Sequence, residues 1–175
     1  MDDRRKALIE RIRRANPPLD SLPETELRLA LRSRLDQELV GREANMDRLI
    51  PFGVQARDLA PGPVNETILE WMSADDSPGR TEVGAWFLAG LWNDKTPAVP
   101  ERLVELALER LEAGAGRPSL LEPLLMALSY LPTGLLSPDI RSRIVRAFHD
   151  VRARGDDRKL ARVAVQALES VLGRA

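Results

Sequence analysis

The chain has 175 residues, 43% hydrophobic and 30% charged, which is typical of one compact domain spanning residues 1–175. Its 26 basic and 27 acidic residues nearly cancel, and this excludes the strongly basic balance of a dedicated nucleic-acid binder, although local basic patches remain open. The absence of cysteine excludes disulfides, thiolate metal sites and a cysteine nucleophile, and a single histidine builds no ordinary metal site. We therefore expect no metal and no cofactor.

Charged or proline residues interrupt every apolar stretch before it reaches the roughly 20 residues that a membrane-spanning helix needs. The segment from Met1 to Lys6 is charged and lacks the apolar region of a secretory signal. We therefore expect a soluble protein without membrane contact, located in the cytoplasm.

Proline, glycine and capping residues divide the chain into about nine helical pieces, and no stretch alternates as a strand would. The first helix ends before Pro17, because proline cannot donate a backbone hydrogen bond. A capping box of Ser21 and Glu24 opens the second helix. Its apolar face is a leucine stripe at fourfold spacing, formed by Leu27, Leu31, Leu35 and Leu39.

Residues 51–63 contain three prolines and two glycines, and they form the longest stretch without a clear periodicity. They predict at most one helical turn, across 54–60. We take this stretch as a candidate boundary, with residues 1–60 as an N-terminal helical extension or cap.

Capping signals punctuate the rest of the chain. They predict helices that begin at Asn65, Ser77, Pro100, Ser119, Ser137 and Asp156 or Asp157. The corresponding ends are predicted near Met72, Asn93, Gly114, Leu131, Gly155 and Gly173. Six helices therefore follow the boundary as three pairs.

The second helices of these pairs align with one another. Positions 83, 87, 88, 90 and 91 match 120, 124, 125, 127 and 128, and these match 160, 164, 165, 167 and 168. The first helices align at similar spacing, with 68 and 72 matching 103 and 107, and 103 and 107 matching 140 and 144. Small residues recur where close helix crossing needs a short side chain, at Gly90, Ala127 and Ala167.

The spacing and layout resemble HEAT-like α-helical repeats, and the segment from Asp157 to Leu168 is the most similar to that family's second helix. The resemblance covers residues 65–172. It implies an all-α fold, a short right-handed helical-repeat stack (an α-α superhelix) of three helix pairs, in which residues 1–60 act as the polar-faced cap that a short stack needs. An irregular helical bundle is the alternative.

Residues 82–92 are apolar all round the helix, so we expect them to lie between the N-terminal helices and the rest. Trp92 is the one residue of this segment that we consider as a candidate for partial exposure. If exposed, it would anchor a partner, since aromatic rings dominate interface energetics, and otherwise it belongs to the core.

Positive charge concentrates at the end of the chain, where 138–175 holds nine basic and five acidic residues. These arginines either bind an acidic partner or phosphates, or pair with the interleaved acids as an ordinary solvated face. His149 is expected to be exposed among them. The candidate partner-binding cations are Arg143, Arg146, Arg158 and Arg162.

No catalytic set emerges, so the resemblance favours a non-catalytic protein-interaction scaffold: an adaptor, accessory subunit or inhibitor. The alternative is nucleic-acid binding through the C-terminal arginines, since some HEAT-like proteins grip duplex backbones and a few are base-excision enzymes. Self-association is a further expectation, because residues 60–137, with eleven acids and five bases, lie between basic ends. An enzyme would need converging carboxylates, for which the candidates are Glu66, Glu70, Asp75, Asp76 and Asp94.

Overall fold

The structure is a computed structural model, and it describes residues 19–40, 46–93, 95–96, 98–114, 117–154 and 157–173. The described residues are helical or in turns and loops, with no strand among them. The all-α prediction is thus confirmed for this part of the chain. The helix predicted before Pro17 and the helix end predicted near Gly155 fall outside the described residues.

The described residues form eight α-helices and two short 3-10 turns, Leu19–Ser21 and Thr133–Leu135. The α-helices are α1 (Glu24–Val40), α2 (Met46–Arg57), α3 (Pro61–Ser73), α4 (Pro78–Leu91), α5 (Glu101–Ala113), α6 (Pro118–Ser129), α7 (Pro138–Arg154) and α8 (Arg158–Gly173).

Three of the predicted helix starts are confirmed in detail. The Ser77 hydroxyl accepts a hydrogen bond from the Arg80 amide at 3.4 Å, and the Ser137 hydroxyl accepts one at the start of α7, also at 3.4 Å. Asp157 Oδ1 accepts two amide hydrogen bonds, of 2.8 and 3.2 Å, at the start of α8. These side chains satisfy amide groups that have no partner inside their own helix.

The stretch 51–63 differs from the prediction, because it is almost wholly helical. Helix α2 continues through the exposed Pro51, and only three residues separate its end from Pro61, the first residue of α3. Asn65 is consequently not a cap: it lies buried inside α3, and its Nδ2 donates to the Ala98 carbonyl at 3.5 Å. Ser119 likewise lies inside α6, whose N-cap is Arg117.

The helices pack in two rows. Helices α1, α3, α5 and α7 lie side by side in one row, and α2, α4, α6 and α8 lie side by side in the other. The helices of each later pair, α3 with α4, α5 with α6 and α7 with α8, also pack on each other across the rows. The first two helices therefore extend the same two rows as the six that follow.

Polar contacts join successive helices of a row at a nearly constant separation in sequence. Arg28 on α1 pairs with Glu66 on α3, and Lys159 Nζ on α8 lies 2.8 Å from Glu122 Oε2 on α6. Before α7, the Ser137 hydroxyl donates to Glu101 of α5 at 3.2 Å. The partners are 38, 37 and 36 residues apart, respectively. Each step from one helix to the next in the same row therefore spans a helix pair of similar length in sequence.

Helices α2 and α4 cross at two glycines. A Cβ atom on Gly90 would lie 2.0 Å from the Ile50 carbonyl oxygen, and one on Gly53 would lie 2.2 Å from the Phe87 carbonyl oxygen. Beside this crossing the rings of Phe52 and Phe87 meet edge to face, with centroids 5.0 Å apart. The crossing therefore excludes any side chain at either glycine.

Helix α4 is exposed at its first turn, but every residue from 83 to 92 is buried. It packs against α2 and α6 in its own row and against α1 and α3 in the other. The prediction that this segment is sandwiched between the N-terminal helices and the rest is confirmed. Its all-round apolar surface is explained by these neighbours on several sides.

The connection from α3 to α4 is tied by Asp75 and Arg80. Asp75 Oδ1 accepts from the Ser77 amide at 2.8 Å, and its Oδ2 accepts from Arg80 Nε at 3.0 Å. Arg80 also donates to the Trp71 carbonyl at 2.9 Å and lies 4.4 Å from the centre of the Trp71 ring. The hydrogen bonds from Ser77, followed by the charge of Arg80, hold the pKa of Asp75 below its ordinary value.

This arrangement predicts a stabilising contribution that acid removes. A carboxyl whose pKa is lower in the folded than in the unfolded protein stabilises the fold above its ordinary value of 3.8, and that stabilisation disappears as the pH falls through the folded pKa. In Asp75→Asn, the free energy of unfolding should therefore fall less steeply below about pH 4. Urea unfolding at several pH values measures this, with Asp76→Asn as control. Equal acid dependence in Asp75→Asn and the native protein would show that Asp75 makes no such contribution.

Candidate functional site

Most cations of helices α1 to α5 already have partners within the protein. Arg28 and Arg32 of α1 pair with Glu66 and Glu70 of α3, and Arg102 Nη1 lies 2.9 Å from Glu109 Oε1. Further internal partners are held by Arg34, Arg48, Arg57, Arg80 and Arg110. In the described part of this region, positive charge is therefore largely neutralised or used in packing.

Helices α7 and α8 differ in this respect. Only two of their cations form ion pairs between described residues: Arg143 Nη2 lies 3.5 Å from Glu112, and Lys159 pairs with Glu122. Among the described residues, the side chains of the remaining arginines form no hydrogen bond or ion pair: Arg141, Arg146, Arg152, Arg154, Arg158 and Arg162. We call these six residues the free arginines. Outside this helix pair, the side chains of Arg117 and Lys95 also form no hydrogen bond or ion pair with described residues, but these two cations lie in separate parts of the chain.

The local sequence explains why these arginines project outward. At 100° per residue, the buried residues of α7 occupy one stripe, which includes Ile144 and Phe148, and the free arginines of α7 fall outside it. The caps at Ser137 and Asp157 fix where α7 and α8 begin and therefore which face each helix presents. All the free arginines are exposed except Arg141, which is half-buried.

An open cavity of about 440 Å³ lies on the exposed side of α7. Leu136, Pro138 and Val145 provide its apolar part, and the polar groups are those of Arg141, Ser142 and Arg146. A lining that combines apolar side chains with two guanidinium groups suits a ligand that carries both an apolar group and a carboxylate.

A second cleft of about 340 Å³ lies between α6 and α8. Its apolar lining includes Met126 and Val163, and Arg162 and the pair formed by Lys159 and Glu122 also line it. Because α7 belongs to one row and α6 and α8 to the other, Arg146 and Arg162 line different cavities.

The structure separates the predicted site residues. Trp92 is fully buried, so the expectation of a partly exposed anchor is wrong: α4 ends at Leu91, and Trp92 adopts an extended conformation that turns it into the core. Arg143 is tied to Glu112, and Arg146, Arg158 and Arg162 are exposed. His149 is exposed as predicted.

Sequence reasoning did not select two groups of residues at this end. Arg141, Arg152 and Arg154 form no hydrogen bond or ion pair with other described residues, and Leu135 and Leu172 are 48% and 53% exposed. Because acids and arginines are interleaved along α7, the sequence does not show which of these arginines lack an ion-pair partner. Partial accessibility of a leucine near a helix end leaves no signature in sequence.

The candidate carboxylates do not converge within the described residues. Glu66 and Glu70 are paired with Arg28 and Arg32, and Asp75 ties the connection between α3 and α4. Asp76 lines a separate cavity of about 420 Å³ that Arg110 and Arg117 also line, while Asp94 falls outside the described residues. Among described residues, no group of three potential metal ligands comes together. No helix of the described chain has the length and apolar character needed to cross a bilayer.

Comparison with protein-family models, with curated proteins and with solved structures finds no match to this chain.

Proposed function

We propose that the protein is a non-catalytic interaction scaffold, a short helical-repeat stack of HEAT-like type that binds an acidic surface of a protein partner through the free arginines of α7 and α8. The side-by-side succession of helices in two rows and the recurring separation of their polar contacts support the repeat stack. A location in the cytoplasm, and self-association through segment 60–137 and the basic ends, stay predictions of the sequence.

The observation that carries the proposal is the contrast between paired and unpaired arginines. An exposed arginine without an internal partner keeps its donors available, and a carboxylate can accept two of them at once. Six such groups on one helix pair attract an acidic partner from a distance and orient it on arrival. The paired cations of α1 to α5 offer no comparable field.

A protein partner is favoured over nucleic acid by the placement of these groups. A nucleic-acid backbone needs a continuous line of cations, whereas Arg146 and Arg162 line different cavities. The exposed acids Asp139, Asp150 and Glu169 interrupt the basic surface and would repel phosphates. A surface that mixes both signs instead suits a partner with a matching pattern of charges.

Replacing Arg146, Arg152, Arg158 and Arg162 together by glutamine should abolish this recognition with little effect on folding, because all four side chains are exposed and lack internal partners. The matched control replaces Arg32, Arg102, Arg117 and Lys95 by glutamine, which removes the same charge from parts of the chain outside α7 and α8. Each variant and the native chain are used to capture proteins from the cells that make it, before and after nuclease, with quantification by mass spectrometry.

We expect the native chain and the control variant to retain the same partner proteins after nuclease. The α7–α8 variant should retain at least about tenfold less of these proteins, which corresponds to roughly 1.4 kcal/mol of binding free energy. Retention that nuclease abolishes would instead establish the nucleic-acid alternative. Equal retention by both variants would refute a role for the free arginines.

A further inference from the structure

The end of the two rows at α7 and α8 carries an apolar strip as well as arginines. Helix α7 packs against α5 and α8, and α8 packs against α6 and α7. Each helix thus has a flank that faces away from the preceding member of its own row. In a stack of helices, this is the flank that the next pair would cover.

On α8, polar contacts identify the side that faces α6. Lys159 Nζ reaches Glu122, and the Ser170 hydroxyl donates to the Ser129 carbonyl at 3.2 Å. At 100° per residue, the opposite flank carries Ala161, Val165 and Leu172. Ala161 and Val165 are half-buried and Leu172 is 53% exposed. This flank is therefore apolar and open along three turns of the helix.

On α7, the pair of Arg143 with Glu112 identifies the side that faces α5. The opposite flank carries Arg141, Val145 and Arg152 at helical spacing. Val145 and Arg141 line the cavity of about 440 Å³ that Leu136 also borders. The far flank of α7 thus combines an apolar position with cations above and below it.

We infer that this end of the stack binds one amphipathic helix of a protein partner. The apolar stripe of that helix covers the end strip, which we define as Leu136, Val145, Ala161, Val165 and Leu172. Asp and Glu residues on either side of the stripe contact Arg141, Arg152 and Arg158. The inference rests on the proposed function and assigns it a binding mode, a helix laid along the side of α7 and α8. Burial of the strip supplies affinity, and the arginines select acidic flanks.

Charge complementarity favours this occupant over a second copy of the chain. Two copies related by a twofold axis would place the same end against itself, and the interface would bring together the positive charges of Arg141, Arg152 and Arg158 from both copies. Like charges brought together in a desolvated interface oppose association. A helix with acidic flanks presents the opposite sign to the same three residues.

The test uses a labelled synthetic peptide of about 20 residues, roughly 30 Å long as a helix and so able to span α7 or α8. Leucine occupies one helical face and glutamate the flanks, and a scrambled peptide of identical composition has no apolar face. Binding to the full chain is measured by fluorescence anisotropy. We expect the amphipathic peptide to bind with a dissociation constant of ~10 µM and the scrambled peptide at least ~10 times more weakly.

Two variants locate the site. Leu172→Glu places a negative charge on the end strip, and its matched control, Leu29→Glu, changes a leucine that is 64% exposed on α1. We expect Leu172→Glu to weaken binding of the amphipathic peptide at least ~10-fold and Leu29→Glu to leave it unchanged. Thermal unfolding followed by circular dichroism verifies that both variants are folded.

The outcomes separate the two proposals. A third variant, Arg152→Gln/Arg158→Gln, removes two of the arginines beside the strip. If it weakens peptide binding while Leu172→Glu does not, the helix mode is refuted but arginine-mediated binding is retained. Equal binding of the scrambled and the amphipathic peptide would lead to the same conclusion. The helix mode is also refuted if peptide binding is unchanged in both Leu172→Glu and Arg152→Gln/Arg158→Gln, or if neither peptide binds at ~1 mM. In that case the capture experiment alone decides the proposed function. A dimer that Leu172→Glu dissociates would show that a second copy occupies the strip.

Discussion

Gly90→Ala is expected to lower the free energy of unfolding by about 3 kcal/mol, although alanine normally stabilises a helix by up to about 1 kcal/mol relative to glycine. The added Cβ atom would lie 2.0 Å from the Ile50 carbonyl oxygen, and two further backbone atoms of Ile50 lie within 3.0 Å. A backbone cannot move aside as a flexible side chain can, so α2 and α4 must separate. Separation also loosens the contact between Phe52 and Phe87.

Two other glycines provide graded controls. A Cβ atom on Gly62, in the first turn of α3, meets nothing within 4 Å, so Gly62→Ala should stabilise by about 0.5 kcal/mol. At Gly84 the atoms nearest the added Cβ belong to the flexible side chain of Met72, at 2.7 Å, and the cost should be intermediate. Urea unfolding of the three variants gives the series, and equal stability of Gly90→Ala and Gly62→Ala would contradict the close crossing.

Trp92→Ala is expected to cost about 4 kcal/mol, the range found when a large buried aromatic is removed. Trp92 is 0% exposed, although it follows the last residue of α4. Among the described residues its Nε1 is the buried side-chain donor that lacks a hydrogen-bond partner. Trp92→Phe, which removes that donor while keeping most of the ring, should therefore cost less than about 1.5 kcal/mol.

Trp71→Phe is the matched comparison. Trp71 is also buried, but its Nε1 donates to Asp36 Oδ1 at 2.8 Å and its ring contacts Arg80. This substitution removes a used donor and weakens a cation–π contact, so we expect it to cost about 1 kcal/mol more than Trp92→Phe. Chemical denaturation of both variants measures the difference. A larger cost at Trp92 would show that its indole N–H is used.

The sequence predicted the parts of the fold that depend on neighbouring residues. Ser77, Ser137 and Asp157 cap helices as expected, because a cap is a contact over two or three residues of chain. The leucine stripe of α1 is buried at Leu27, Leu31 and Leu35. Periodicity and caps therefore predicted the helical class and the starts of α4, α5, α7 and α8.

Packing between distant helices overrode local signals elsewhere. Pro51 and Gly53 both disfavour a helix, yet α2 runs through them, because Gly53 is the residue that allows its approach to α4. Neither residue reveals this alone, since the reason lies at Gly90, in another helix. Asn65 resembled a cap because the Pro61 start of α3 was interpreted as loop.

The candidate site could be predicted only in outline. Charge along the sequence located the basic end, but the pairing of Arg143 with Glu112 spans two helices and leaves no local pattern. The expectation for Trp92 was wrong because a helical projection was extended one residue past the end of α4, where the backbone is already extended. Which arginines are free thus depends on where helices end and on which helix lies alongside.

Hydrogen exchange of the protein alone and in the nuclease-treated complex captured by the native chain tests the central claim most directly. If the free arginines of α7 and α8 form the binding surface, amide protection on complex formation will be concentrated in residues 138–154 and 158–173 and will leave α1 to α4 unchanged. Protection concentrated in α1 to α4, with α7 and α8 exchanging as in the free protein, would contradict it.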